Sequence, residues 1–566
     1  PRIDISPAAL APDHEGPDRP DKNPDSFVRI VPGAGFTADT PQPAPIGAPG
    51  DAGHDAKAIA RWDVVPYQTF TGEFHIGVVA FHMNGIDRVE FSADGGAWVA
   101  VDRMQLNPRT DVWEYTAVLD AADFDDGPVE VRAVVYPSVG VPRVLAGSDM
   151  QVDNGEHSIF LYADASAQLA TRVSWVDPVN GADSNDGLTP DSAKRTMHGG
   201  LVALQNQFGG IDGGTVYLMA GIHEWESRSG PSINPVHAMV TFEAAPGLTP
   251  DDVKIADDPT ISGLSLRSNM VTIRGVTIRQ RISDTTAASH PTLLWIDRCK
   301  FPGEGMTTSV PMPRSADWQL GLYMTGVEVS NVRNAFKDRF RLVRHGVARD
   351  IGEDAFVNVF CVIDSSVERM TFAHASYHPD VVQYFGPHDN TIVYGLIATD
   401  ARAQTIFSRG SERHDNAAFV NVLIERTGEG VLLGQWIRES NHVLFSHCTH
   451  VGTRFWFRPT DPNGQERPVR NLVVRNSVFQ EILYSDSGLY PDPSEVFYNN
   501  HYITGNRYGA SSTSGGSYNT IFANTDRFNP FAGGVLDGRV AFPDAPIDLF
   551  GVMLPQQAAI GSAQPE

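Results

Sequence analysis

One pattern limits what this chain can fold into more than any other: a triplet of apolar anchors at i, i+3 and i+5 that returns along residues 273–479. It reads Ile273/Val276/Ile278, Ile296/Cys299/Phe301, Met324/Val327/Val329, Val367/Met370/Phe372, Val393/Leu396/Ala398, Val420/Leu423/Glu425, Phe445/Cys448/His450 and Val474/Ser477/Phe479. A ninth copy, Arg344/Val347/Arg349, keeps only its middle anchor. Successive first anchors lie 20 to 29 residues apart. A repeat of that length that buries one apolar column is a solenoid: each pass supplies a strand, a short turn and a second strand that stack on the next pass. The register puts Cys299 and Cys448 in one interior column six passes apart, roughly 29 Å at ~4.8 Å per strand. No disulfide spans that distance, and the three cysteines (Cys299, Cys361, Cys448) read as buried thiols.

With 566 residues the chain exceeds one ordinary core. Residues 1–58, rich in Pro, Gly and Asp, read as a linker or strap. Residues 59–155 carry short alternating runs such as Phe74–Phe81 and Val129–Tyr136, the spacing of an immunoglobulin-like β-sandwich. After a linker at 156–172, the solenoid and its N-terminal cap take 173–510, and 511–566 form a closing segment. The formal charge of -25 argues against a nucleic-acid or anionic-membrane partner. It also repels a polyanionic ligand unless local arginines or a bound cation reverse the field. No apolar run is long enough to span a membrane. The chain begins at Pro1 without an initiator Met or signal peptide, the expectation for a processed form that is secreted or displayed at the cell surface.

Two segments carry a resemblance. Trp175-Val-Asp-Pro-Val-Asn-Gly-Ala-Asp-Ser-Asn-Asp-Gly-Leu-Thr-Pro followed by Gly214-Thr-Val-Tyr-Leu-Met-Ala-Gly-Ile-His resembles the opening of secreted bacterial pectate-lyase-like proteins. The tail, Ala545-Pro-Ile-Asp-Leu-Phe-Gly and Ala559-Ile-Gly-Ser-Ala-Gln-Pro, is similar to their closing segment. The resemblance implies an all-β, right-handed parallel β-helix with a capping helix at Ser192–Gln207. It spans about 390 residues and implies a scaffold only, because such proteins include polysaccharide lyases, glycoside hydrolases, epimerases, tailspikes and adhesins. Asp183, Asn185 and Asp186 in the opening have two readings: hard oxygens around a calcium ion, or the residues of a tight turn.

The chemistry concentrates between Val367 and Val393, where His374, His378, Asp380, Gln383, Tyr384, His388 and Asp389 fall within sixteen residues. Strand alignment stacks Asp354, Asp380, Gln404, Gly430 and Arg454 in one line, and Asn358, Tyr384, Ser408, Gly434 and Arg458 in another. Carboxylates at one end and arginines at the other suit a polysaccharide bearing uronates or sulfates. A lyase draws its base from His378, Tyr384, Lys337 or Arg409. A hydrolase draws its two carboxylates from Asp354 and Asp380, with Glu353 as substitute. His374, Gln383, Gln404, Arg409, Arg454, Arg458 and Trp456 are the expected substrate contacts. The segment Tyr384-Phe-Gly-Pro-His-Asp-Asn-Thr-Ile is also similar to the Tyr-Gly-Phe-Asp-Pro-His segment of mannuronan C5-epimerases, but Gly386 stands where the acid is needed. The expectation is therefore a carbohydrate-active protein, with a non-catalytic adhesive, receptor-binding or structural role as the alternative.

Overall fold

The computed structural model describes residues 27–145, 159–208, 212–223, 237–255, 264–266, 270–279, 282–284, 293–307, 321–337, 339–374, 378–427, 433–458, 460, 464–484, 488–509, 511–524, 528–532, 534–536, 544–545, 548–549 and 561. The chain is all-β. Its largest feature is one sheet of 28 strands, from Val173–Val176 to Thr513–Ser514, whose successive passes pair in parallel. This is consistent with a parallel β-helix.

One interior column runs through the sheet: Val216, Phe242, Ile273, Ile296, Met324, Val343, Val362, Val393, Phe419, Phe445, Val474 and Phe497. All are buried in one cluster. Phe419 and Phe445 stack at 4.7 Å. Two residues after each anchor from Ile273 onward stands a residue of positive φ: Gly275, Arg298, Gly326, His345, Asp364, Gly395, Asn421, His447, Asn476 and Asn499. This left-handed corner explains the i, i+3 spacing. It turns the chain so that the residue after it also faces inward, and Gly, Asn, Asp and His are the types that tolerate it best.

Three expected triplets need correcting. The copy at residue 344 is not damaged: Val343 and Ala348 are the anchors, and Arg344 points to the other face. Phe419/Val422/Ile424 replace Val420/Leu423/Glu425. Side chains alternate along a strand, so a slip of one residue exchanges the two faces. At the fourth copy the triplet is Val362/Ser365/Val367, so Val367 is its third member, and Phe372 is 38% exposed.

Residues 28–163 form two further sheets. Val28–Arg29, Val112–Asp120, Glu73–Phe81, Ile59–Trp62 and Gln105–Asn107 make one; Thr69–Phe70, Ile159–Ala163, Gly127–Pro137, Ile86–Ala93, Val99–Val101 and Arg143–Val144 make the other. The expected strap and linker thus each contribute a strand, pairing with Ala117–Val118 and with 127–131. The same buried cluster that holds these sheets together includes Met270, Leu293, Tyr323, Leu342, Ile363, Ile392, Tyr394, Ala418, Val420, Leu444 and Val473 of the parallel sheet. The smaller unit therefore packs along the outer face of the larger one from Met270 to Val473. Phe81 against Tyr394 at 5.3 Å, and Asn390 bonded to both the N–H and C=O of Ala60, fix its register.

The cap helix is Met197–Phe208, after a short turn at Pro190–Ser192, and buries Met197, Leu201 and Leu204 on the first passes. Much of 511–566, including Ala559, lies outside the described residues.

Candidate functional site

The strand Asp380–Tyr384 pairs with Phe356–Val357 on one side and Gln404–Arg409 on the other. That register sets Asp354, Asp380 and Gln404 side by side, as expected. The backbone N–H of Asp380 donates to Asp354 Oδ1 at 3.2 Å. Both acids are buried, at 3% and 0% exposure, so neither presents its carboxyl to solvent.

Burial is the main reason the Asp354 carboxyl is pushed up to about 7; the charge of Asp380 adds to it, and Lys337, with Nζ 3.7 Å from Oδ2, opposes it. Asp380 is pushed up to about 6, again chiefly by burial, with His378 opposing. Gln383 Nε2 donates to Asp380 Oδ2 at 2.5 Å, and His378 Nδ1 lies 3.8 Å from the same oxygen. His378 itself is exposed, its side chain 56% open, and Asp380 holds it above the ordinary imidazole range. Its ring meets Phe407 edge-on at 5.7 Å. At the rim, Glu353 is bound by Arg333 Nε at 2.6 Å, which keeps its carboxyl low against burial.

Tyr384 is corrected. Residues 382 and 384 face inward, and Tyr384 is fully buried between His388 and His414, at 5.1 and 4.7 Å, where burial raises its phenol. It cannot meet a ligand. His388 is also internal, accepting burial at the cost of a pKa near 4 and bonding Phe385 O and Asn358 Oδ1. Asp389 turns to the smaller unit, where Arg143 and Arg61 reach its carboxylate and carbonyl. His374 is exposed; residues 375–377 and Gly430 lie outside the described residues.

The second predicted line holds through Ser408, then shifts: Ser408 pairs with Trp436 and Trp436 with Phe457, so Gly434 and Arg458 are not on it. Gly434 pairs instead with Phe455, which separates Arg454 from the Asp354 line. Trp456 belongs to an outward row, Lys337, Val357, Gln383, Phe407, Gln435, Trp456 and Leu483. On its strand Arg454 is bound by Glu481 at 2.7 Å, whereas the Arg458 guanidinium sits 4.8 Å over the Trp456 ring. Arg409 is exposed at the end of its strand. Phe385 is exposed on this surface and Phe407 lies beneath it; the alternation Tyr384 in, Phe385 out is the sequence signal for the first.

Asp183, Asn185 and Asp186, the residues of the calcium reading, all take part in local hydrogen bonds. Asp183 Oδ1 accepts from the N–H groups of Arg195 and Thr196 at the entrance to the cap helix, Asp186 Oδ1 from Leu188 N and Ser192 Oγ, and the Asn185 amide donates to Ala193 O. These are turn and capping bonds. Among the described residues no group of three or more His, Cys, Asp or Glu side chains is arranged to hold a metal.

No protein-family model matches this chain, and no curated protein matches it either, so the functional argument rests on the geometry of this face.

Proposed function

We propose that the protein is an extracellular polysaccharide lyase acting on an acidic, uronate- or sulfate-bearing polymer. The observation that carries this reading is an exposed imidazole, His378, backed by a buried carboxylate, Asp380. With Nδ1–H directed at Asp380, Nε2 is the free lone pair facing solvent. In a β-elimination His378 Nε2 takes the proton α to the uronate carboxyl, the electron pair becomes the new C=C bond, and the glycosidic C–O bond breaks. The leaving oxygen takes a proton from water, and the His378 imidazolium returns its proton to solvent. Lys337, 3.7 Å from Asp354 Oδ2 and on the outward row of Gln383 and Phe407, is the cation to neutralise the uronate carboxylate, which makes the α proton removable.

The hydrolase reading needs two carboxyl groups in contact with one sugar. Asp354 and Asp380 are both buried, which favours the lyase. We read the scaffold as a right-handed parallel β-helix preceded by an immunoglobulin-like β-sandwich, an architecture suited to secreted or cell-surface work on long polymers; the 28-stranded parallel sheet among the described residues supports that reading.

The test is a screen of the purified protein on pectate, alginate, ulvan and carrageenan, following unsaturated ends by ultraviolet absorbance and new reducing ends chemically. Unsaturated product that disappears in His378→Ala supports the lyase. Reducing ends without unsaturation replace it with a hydrolase, and binding without turnover replaces it with an adhesive or structural role.

A further inference from the structure

Beside the proposed reaction centre lies a second row, with Phe385 and Arg409 exposed and Ile437 buried between the two arginines. Tyr384 pairs with Ser408, which sets Phe385 beside Arg409; Arg409 pairs with Ile437; and Trp436 pairs with Phe457, which sets Ile437 beside Arg458. Phe385 is 45% exposed, an uncommon state for a large apolar ring. Neither Arg409 nor Arg458 has a carboxylate partner among the described residues. Arg333 and Arg454, on the same face, are taken up by Glu353 and Glu481. On a chain of charge -25, these two guanidinium groups are left without acids on one row.

The row is held in place from beneath. Arg438, fully buried, donates to the carbonyls of Tyr384 at 2.8 Å, Arg409 at 3.0 Å and Glu412 at 3.3 Å, and to Gly386. One side chain therefore ties together the turns that present Phe385 and Arg409. Arg458 is steadied by its own Trp456 ring.

We propose that Phe385, Arg409 and Arg458 form a binding subsite for a linear polyanionic saccharide lying across the strands. Two strand spacings separate the arginines, so the carboxylate or sulfate groups it takes recur about 10 Å apart along the polymer. Each guanidinium forks onto one anionic group, and the Phe385 ring carries the apolar face of a sugar at the end of the row. The subsite rests on the acidic-polysaccharide reading above and adds to it the spacing of the charges.

The experiment is calorimetric titration of the whole chain with size-graded oligomers of pectate, alginate and carrageenan, and with methyl-esterified pectin oligomers as the neutral control. Affinity is expected to step up once an oligomer is long enough to bridge both arginines, and to be absent for the neutral control. Arg409→Gln and Arg458→Gln are each expected to weaken binding about ten-fold, the loss of one charge-assisted contact. Arg409→Lys keeps part of the affinity, and unchanged melting temperatures show that the variants are folded. If the wild type binds a polyanion and both glutamine variants bind it equally well, the subsite is wrong while the acidic-polysaccharide reading stands. Should the wild type bind none of the three polyanions, both fall.

Discussion

Arg344, on the outer face of the parallel sheet, forms a buried ion pair with Asp63 of the smaller unit. The pair sits in the seam where the two units meet, close to Arg109, which donates to the Asp63 carbonyl at 2.7 Å. An ion pair out of water is costly to break from one side, because the remaining charge is stranded. Arg344→Met is expected to destabilise the protein by about 3–5 kcal/mol, and Arg344→Met combined with Asp63→Leu to recover most of that loss. Chemical denaturation of the three variants measures both.

Phe419 rather than Val420 belongs to the interior column. Phe419→Ala removes a ring that stacks on Phe445 and meets Trp436 at 5.9 Å, and is expected to cost about 3–5 kcal/mol. Val420→Ala faces the smaller unit and removes less volume, so a smaller loss is expected. Equal losses from the two variants would contradict the register.

Turnover on a found substrate should depend on pH through His378 and Asp380. Proton abstraction needs neutral His378, which Asp380 holds above its ordinary range, so activity rises with pH on the alkaline side of 6.5. Asp380, at about 6, must be ionised to orient the ring, which extinguishes activity below that pH. Asp380→Asn lowers the imidazole pKa and moves the acid limb of kcat/KM to lower pH while reducing its plateau. An acid limb that stays in place in that variant would remove Asp380 from the mechanism.

Glu114 makes the seam sensitive to alkali. It is fully buried, accepts from Asn107 Nδ2 at 2.7 Å and Thr110 Oγ1 at 3.0 Å, and is raised well above the carboxylate range, chiefly by burial and then by the charge of Asp63. The folded state therefore holds a proton that the unfolded state releases near pH 4.5. Its contribution to stability is complete below that pH and is lost as pH rises toward the folded pKa. Melting temperature should fall on the alkaline side, and Glu114→Gln, which keeps the acceptor oxygen, should flatten that fall.

The parallel sheet with its repeating apolar column, and the stacking of Asp354, Asp380 and Gln404, were legible from the repeat. Where the triplet slipped, the missing signal was the left-handed corner. Reading Val420 as first anchor puts the β-branched Val422 at the corner, and positive φ is a costly conformation for such a side chain; reading Phe419 puts Asn421 there. His345, Asp364 and Gly395 mark the neighbouring passes in the same way. Tyr384 was misplaced because apolar residues stand at both alternate positions of its strand, Val381 and Val382, so the pattern does not say which face turns inward.

By itself, the sequence determined the repeat, most of its apolar column and the residues able to carry acid–base chemistry, since these follow from spacing within a few residues. Only the tertiary structure decided that Arg344 is buried against Asp63, that Asp380 lies behind His378 instead of facing solvent, and that the outer face of the parallel sheet from Met270 to Val473 is covered by the smaller unit. Those facts depend on contacts between segments far apart in the chain, and on how completely each contact excludes water, which no local pattern encodes.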